Sequence, residues 1–248
     1  MTDKASLGDR MKGYEAVSQS VLMKRTPVII RVDGKAFHTF TKQFCKERTP
    51  FSLVMQTSMI NVASYLTHHI QGAVVSYTQS DEVSVLLKDW NAFETQQWFG
   101  GKIQKMASVS AAMASTAFYA SFEYLQESIP YYPDRPLFDA RVFNVPFEDV
   151  VNYFIWRQKD AMRNSVNMLG QYYFSHSQLQ GKSIDEVKYM LKNVGPWEEL
   201  SIAQQRGLCI EKTSFISSRP ANIDEEIPIF TEDRKFIQKW LGDYDGKM

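Results

Sequence analysis

The chain has 248 residues, 44% of them apolar and 23% charged, with 28 basic against 28 acidic side chains. That length supports one sizeable core, and a formal net charge of zero excludes the global basic field of a nucleic-acid-coating protein, so any polyanion must be met by local patches. Cys45 and Cys209, the two cysteines, lack metal-type spacing, cannot form a disulfide framework and read as reduced thiols.

The first residues, MTDKASLGDRMKGYE, alternate charges around no apolar core and so lack the form of a signal peptide. Met11 to Leu22 reads as a short amphipathic helix. Pro27 opens a first strand, Val28 to Val32, whose β-branched run leads into Asp33 and Gly34. After Pro50, apolar residues recur at helical spacing from Phe51 to His69 (Phe51, Val54, Met55, Met59, Val62, Leu66), which predicts one packed helix. Gly72 precedes AVVSYTQSDEVSVLL, two β-type runs split by Gln79, Ser80, Asp81 and Glu82 in the pattern of a hairpin. Trp98 to Tyr124 predicts a long helix rich in Ala and Ser. Its uncharged run, Met106 to Phe122, is slightly short for a membrane span and studded with small polar residues, so a buried core helix is expected. The expectation is a soluble, cytoplasmic protein with no membrane contact. Pro130, Pro133 and Pro136 then interrupt the chain before a fourth strand, Ala140 to Val145.

The order β-α-β-β-α-β is that of the ferredoxin-like split βαβ fold, in the α+β class. It predicts an antiparallel sheet with both helices on one face, leaving the other face free to carry a site. Beyond it, Phe147 to Phe174 predicts a long helix, and Ser183 with Glu186 has capping-box form ahead of a shorter one. Arg206 and Gly207 read as a helix end, Leu208 to Phe215 as a strand, and Thr231 as the cap of a last helix through Trp240. Residues 1–148 thus read as the catalytic part and 149–248 as an α-rich extension packed on it in one compact unit.

In this topology the end of the first strand lies beside the hairpin, which brings Asp33 near Asp81 and Glu82. Three acids together raise one another's pKa unless a cation neutralises them. Magnesium takes oxygen ligands, often one or two carboxylates plus substrate phosphates, and two such ions can activate a hydroxyl and stabilise a leaving pyrophosphate. Gly34, without a Cβ, allows close approach to a metal or nucleotide. The competing reading is an ordinary Asp-Gly turn and a solvated hairpin. Basic residues follow: Lys35, Lys42, Lys46 and Arg48 after the first aspartate, with Lys102 and Lys105 near the start of the long helix, where cations oppose the dipole and invite an anion such as a triphosphate. His38 reads either as a phosphate ligand or as an ordinary half-buried histidine. Arg157, Lys159, Arg163, Asn164 and Asn167, with Lys182, Lys188 and Lys192 beyond, suit RNA backbone contact or plain solvation.

Four stretches in order, RVDGKAFHTF, YTQSDEVSVLL, WFGGKIQKMASVSAAMAS and WRQKDAMRNSVN, resemble the tRNA-His guanylyltransferase family, from about Gly13 to Arg206. The resemblance implies a polymerase-palm-like catalytic domain, a homotetramer, and nucleotide addition to the 5′ end of tRNA. It implies that Asp33 and Asp81 hold two Mg2+ ions with the Gly34 carbonyl assisting and Glu82 supporting. It also implies that ATP or GTP serves as activating and substrate nucleotide. Lys35, Phe37, His38, Arg48, Lys102 and Lys105 fall at nucleotide- or triphosphate-binding positions, with Arg31 and Ser80 weaker carry-overs. Arg157, Arg163, Asn164 and Lys192 fall at weaker RNA-binding ones. In-line displacement of this kind needs metals and cations more than a side-chain nucleophile.

One departure bears on substrate. Where members that add a single guanylate to tRNA-His carry His-Ile-Asn-Asn, this chain has Met162, Arg163, Asn164 and Ser165. The difference favours the branch that repairs truncated tRNA 5′ ends against a template. Single guanylate addition, a nucleotidyl cyclase and a non-catalytic tRNA-binding module remain the alternatives.

Overall fold

Alternation along the first strand decides the layout of the molecule. In β1 (Val28–Gly34), Val28, Ile30 and Val32 enter one buried cluster. Ile29 enters another, so Arg31 and Asp33 point to its side of the sheet. The computed structural model describes residues 6–44, 49–125, 135–213 and 221–242.

In chain order, the elements before β1 and up to the hairpin are α1 (Leu7–Val17), α2 (Phe37–Phe44), α3 (Leu53–His69), β2 (Ala73–Gln79) and β3 (Glu82–Leu87). Then come α4 (Ile103–Leu125), β4 (Phe138–Asn144), α5 (Phe147–Tyr173), α6 (His176–Leu179) and α7 (Ile184–Leu191). The chain continues with α8 (Ile202–Arg206), β5 (Leu208–Lys212), β6 (Ala221–Asp224) and α9 (Lys235–Leu241). Six strands form one antiparallel sheet in the order β4-β1-β3-β2-β5-β6.

α3 and α4 pack together on one face, burying Val62, Leu66, Ala114 and Phe118 against β1 and β3. The other face is not free, as the strand order alone suggested. α5 lays Val150, Val151 and Phe154 across it, joined by Ile237 and Leu241 of α9. The C-terminal residues also extend the sheet, since β5 pairs with β2 and β6 with β5. Cys209 of β5 is fully buried there, and that burial pushes its thiol pKa well up.

Several boundaries move for local reasons. The expected helix at Trp98 begins only at Ile103, because Gly100 and Gly101 adopt φ of 63° and 73° and a short 3-10 turn precedes α4. α1 starts at Leu7, where the Ser6 hydroxyl accepts from the Asp9 N–H at 3.1 Å, and it buries no residue. The last helix starts at Lys235 instead of Thr231, with Asp233 accepting from the Phe236 N–H at 3.3 Å. Between the first strand and α3, Phe37 to Phe44 forms α2. Its Phe37 and Phe40 rings join Phe118 and Phe138 in an aromatic cluster.

Candidate functional site

The sheet register sets the site. Asp33 lies opposite Glu82 on β3 and opposite Asp139 on β4, on the α5 side. The β2–β3 turn sits next to it, with the Gly34 N–H donating to the Asp81 carbonyl at 3.1 Å. Ser80 takes a left-handed φ of 49° at the turn, and its hydroxyl donates to Asp81 Oδ1 at 3.1 Å. Gly34 has a packing reason to be glycine, because a Cβ there would lie 2.6 Å from Cγ of the Phe37 ring.

The acids are not a three-carboxylate cluster awaiting a cation. Glu82 is buried, and both its oxygens are taken by Arg157 of α5, Nε to Oε1 at 2.7 Å and Nη2 to Oε2 at 2.8 Å. Among the described residues no group of three or more His, Cys, Asp or Glu gathers at metal-holding spacing. Two carboxylates remain. Burial first, then Asp139, raises the Asp33 pKa; burial first, then the Asp33 charge, raises that of Asp81. Neither makes an ion pair among the described residues. Two hard oxygen donors held above their ordinary range suit Mg2+, whose charge would relieve both burdens.

Beside Ser80 and Asp81 opens a cavity of about 500 Å³, the size of a small-ligand site. The hairpin, the start of α3 (Ser52, Met55, Gln56) and α5 (Asn164, Ser165, Met168) form its walls, with Thr78 and Leu208 behind. The first turn of α3, whose Met55 N–H donates to the capping Ser52 hydroxyl at 3.4 Å, brings the positive end of the helix dipole to this wall.

The expected site residues divide. His38, Phe37, Ser80, Asp81 and Asn164 line the cavity. His38 is exposed and Phe37 is a core ring at its edge. Lys35 is exposed outside the lining, its N–H donating to the Leu137 carbonyl at 2.8 Å. Arg48 lies outside the described residues. Lys102 and Lys105 are not brought to the carboxylates within one chain. The Phe138 N–H, opposite Gly34, donates to Ser115 well along α4. The start of α4 instead meets Ser20 and Leu22, at the far end of β1, and Lys105 sits over the Phe99 ring at 4.7 Å.

Arg157 is buried in its ion pair, which removes it from any RNA surface. Arg163 is exposed and paired with Asp160, and Lys192 is exposed with its ammonium 5.5 Å from the Tyr189 ring. The cavity roles of Thr78, Ser52 and Met55 were missed, because nothing in a Thr, Ser or Met signals a ligand wall before the chain is folded.

The family model described as Thg1, tRNAHis guanylyltransferase, matches residues 8–146. A solved bacterial tRNA(His) guanylyltransferase (Thg1)-like protein in complex with ATP is 38% identical, with a TM-score of 0.85 over 96% of this chain and 100% of that one. The Saccharomyces cerevisiae tRNA(His) guanylyltransferase structure, 20% identical over 82% of this chain and 93% of that one, shares the fold at a TM-score of 0.67. Among curated proteins, the Debaryomyces hansenii tRNA(His) guanylyltransferase is 29% identical over 60% of this chain and 54% of its own length. An uncharacterized protein of Acanthamoeba polyphaga mimivirus is 26% identical over 83% and 77%. The matched segment covers more than half of the chain and includes Asp33, the Ser80–Asp81 turn and both helices beneath them, and so this chain belongs to the tRNAHis guanylyltransferase family.

Proposed function

We propose that this nucleotidyltransferase adds nucleotides to the 5′ end of tRNA in the 3′-to-5′ direction, templated by the opposite strand, as a 5′-end repair enzyme. One observation carries the reading: Asp33 and Asp81, half-buried carboxylates without an ion pair among the described residues, lie side by side at the strand end and the hairpin turn, and Asp81 lines a nucleotide-sized cavity. The bacterial relatives solved with ATP and with GTP support a nucleoside triphosphate as the occupant. Asp33 and Asp81 would hold Mg2+, with the Gly34 carbonyl assisting, and Mg2+ supplies Lewis-acid stabilisation of the attacking and leaving oxygens.

The protein's own part is placement. The Asp81 turn and Asn164 border the nucleotide, and the α3 dipole and His38 favour its phosphates. The 5′ end of the RNA, activated by adenylylation or by a triphosphate, accepts the 3′-hydroxyl of the incoming nucleotide and releases AMP or pyrophosphate. In this reading residues 1–148 are the palm-like catalytic part and 149–248 the α-rich extension, and the strand order β4-β1-β3-β2 supports the ferredoxin-like palm. A homotetramer is supported by α1, which leaves Leu7, Met11, Tyr14 and Val17 exposed along one helical stripe. No described helix is long and apolar enough to cross a membrane, and a cytoplasmic site of action fits a tRNA substrate.

Repair is favoured over single guanylate addition by Met162 and Ser165. Met162 packs in the α5–α7 cluster, and the buried Ser165 accepts from Trp197 Nε1 at 3.0 Å, so neither offers the polar surface of the His-Ile-Asn-Asn motif. The deciding assay supplies tRNA lacking its first 5′ nucleotide, with Mg2+, ATP and labelled nucleotides, for each of four templating bases. Extension should follow the template and vanish in Asp81→Ala. Extension that ignores the template, or that survives this substitution, ends the proposal.

A further inference from the structure

The buried pair behind the hairpin has no role in the reading above. Glu82 and Arg157 are 5% and 6% exposed, and the Arg157 fork spends Nε and Nη2 on the two Glu82 oxygens. The same Nη2 reaches Asp160 Oδ2 at 2.9 Å, and the guanidinium carbon lies 4.4 Å from the Trp156 ring centre. Asp160 is held in turn by Arg163.

Replacing a buried ion pair with apolar groups is often neutral for stability, so such a pair is weak evidence of a stabilising purpose. Its position is more informative. Glu82 is the residue after Asp81 and lies opposite Asp33 in the sheet. A free carboxylate at that point would add a third negative charge to a cation site built from two. It would also leave the turn, already carrying a left-handed Ser80, without its side-chain anchor to α5.

We propose that Arg157 is a positioning residue: its bidentate grip on Glu82 fixes the Asp81 turn and keeps Glu82 out of the divalent-cation site. The inference rests on the reading of Asp33 and Asp81 as cation ligands. A planar fork is required because a lysine offers only a point charge on a flexible stem. Two consequences follow for Arg157→Met. The site gains net negative charge and a loose third carboxylate, so a divalent cation binds more tightly. The ligands are misplaced, so turnover falls. A purely structural role would weaken both together.

The test uses Mn2+ binding to the full chain, read by electron paramagnetic resonance without RNA, alongside tRNA extension. Arg157→Met should bind Mn2+ roughly tenfold more tightly, a ratio equal to about 1.4 kcal/mol, while extension slows by tenfold or more. Adding Glu82→Gln should return the affinity to within about threefold of the original, the scatter expected for context, and Arg157→Lys should fall between. Glu82→Gln alone, which keeps an oxygen for Arg157, should change Mn2+ affinity little, whereas Asp81→Asn should abolish tight binding. Weaker Mn2+ binding in Arg157→Met, or a loss in Glu82→Gln as large as in Asp81→Asn, overturns the proposal. If Arg157→Met fails to fold, the Glu82→Gln comparison decides alone. A chain that binds Mn2+ as described yet never extends tRNA refutes the repair reading and leaves this one standing. Loss of Mn2+ binding to Asp33 and Asp81 in the unsubstituted chain refutes both.

Discussion

Asp33 and Asp81 cost the fold stability when they are charged. Their native pKa values are raised, first by burial. A carboxyl whose native pKa exceeds its unfolded value of about 3.9 favours the fold below that value and opposes it increasingly as pH rises through the native pKa. Asp81→Asn should therefore raise the melting temperature in EDTA at pH 7, and the gain should fade as pH approaches 4. Added Mg2+ should raise the melting temperature of the unsubstituted chain and leave Asp81→Asn unmoved. Calorimetry across pH 4 to 8 with and without Mg2+ checks both, and an equal melting temperature at pH 7 counts against the charge burden. Gly34→Ala should destabilise by about 1–3 kcal/mol, the usual cost of overpacking, because the Phe37 ring fills the Cβ position. The acids at the strand end and turn were legible in the sequence because they interrupt apolar β runs. The Glu82–Arg157 grip was not, since its partners are 75 residues apart and meet only once α5 crosses the sheet.

At the scale of elements, local chemistry that closes within a few residues was readable, and chemistry set by packing was not. The capping box before α7 forms as its spacing predicts. Ser183 accepts from the Glu186 N–H at 3.3 Å, and Glu186 accepts from the Ser183 N–H at 2.8 Å. The Ser183 N–H and hydroxyl, both donating to the Glu186 carboxylate, together with Lys182 hold that carboxyl at about 2. Because that value is depressed, its contribution is present above the unfolded pKa and disappears as pH falls from about 4.5 toward 2. Ser183→Ala should cost about 1 kcal/mol, measured by urea unfolding, with Mn2+ binding unchanged. The start of α4 shows the opposite case: helical composition from Trp98 onward was overridden by two left-handed glycines. Grafting the family motif by Met162→His with Ser165→Asn should not transfer guanylate selectivity cleanly. Asparagine at Ser165 crowds the Trp197 indole, and unfolding should show a loss of about 1–3 kcal/mol.

Across the whole molecule, the first four strands and the helices beneath them were legible because each strand alternates and each helix repeats at its own period. The covering of the second face was not, because nothing in the α5 sequence states which side of a sheet it will choose. The result ties distant segments together. The Tyr77 hydroxyl donates to the Arg206 carbonyl at 2.8 Å. Gln158 of α5 holds the Pro228–Phe230 segment by two bonds, 2.9 Å to the Pro228 carbonyl and 2.8 Å from the Phe230 N–H. Ending the chain at Arg206 should therefore strip β2 of its neighbour and expose Tyr77 and Phe154, giving an insoluble product or one without near-ultraviolet circular dichroism. A soluble, native-like fragment would show that the catalytic part stands alone.

Cys209 gives this architecture a built-in clock. Its thiol lies fully inside the seam between β2, α5 and α9, so a reagent can reach it only when that seam parts. In a Cys45→Ser background, the alkylation rate of Cys209 counts openings of the C-terminal strands from the rest of the sheet. When reclosing outpaces labelling, the rate reports the free energy of that opening. A nucleotide held between the hairpin and α5 braces the same seam, and its arrival should be heard as a slower tick at a sulfur that never touches it.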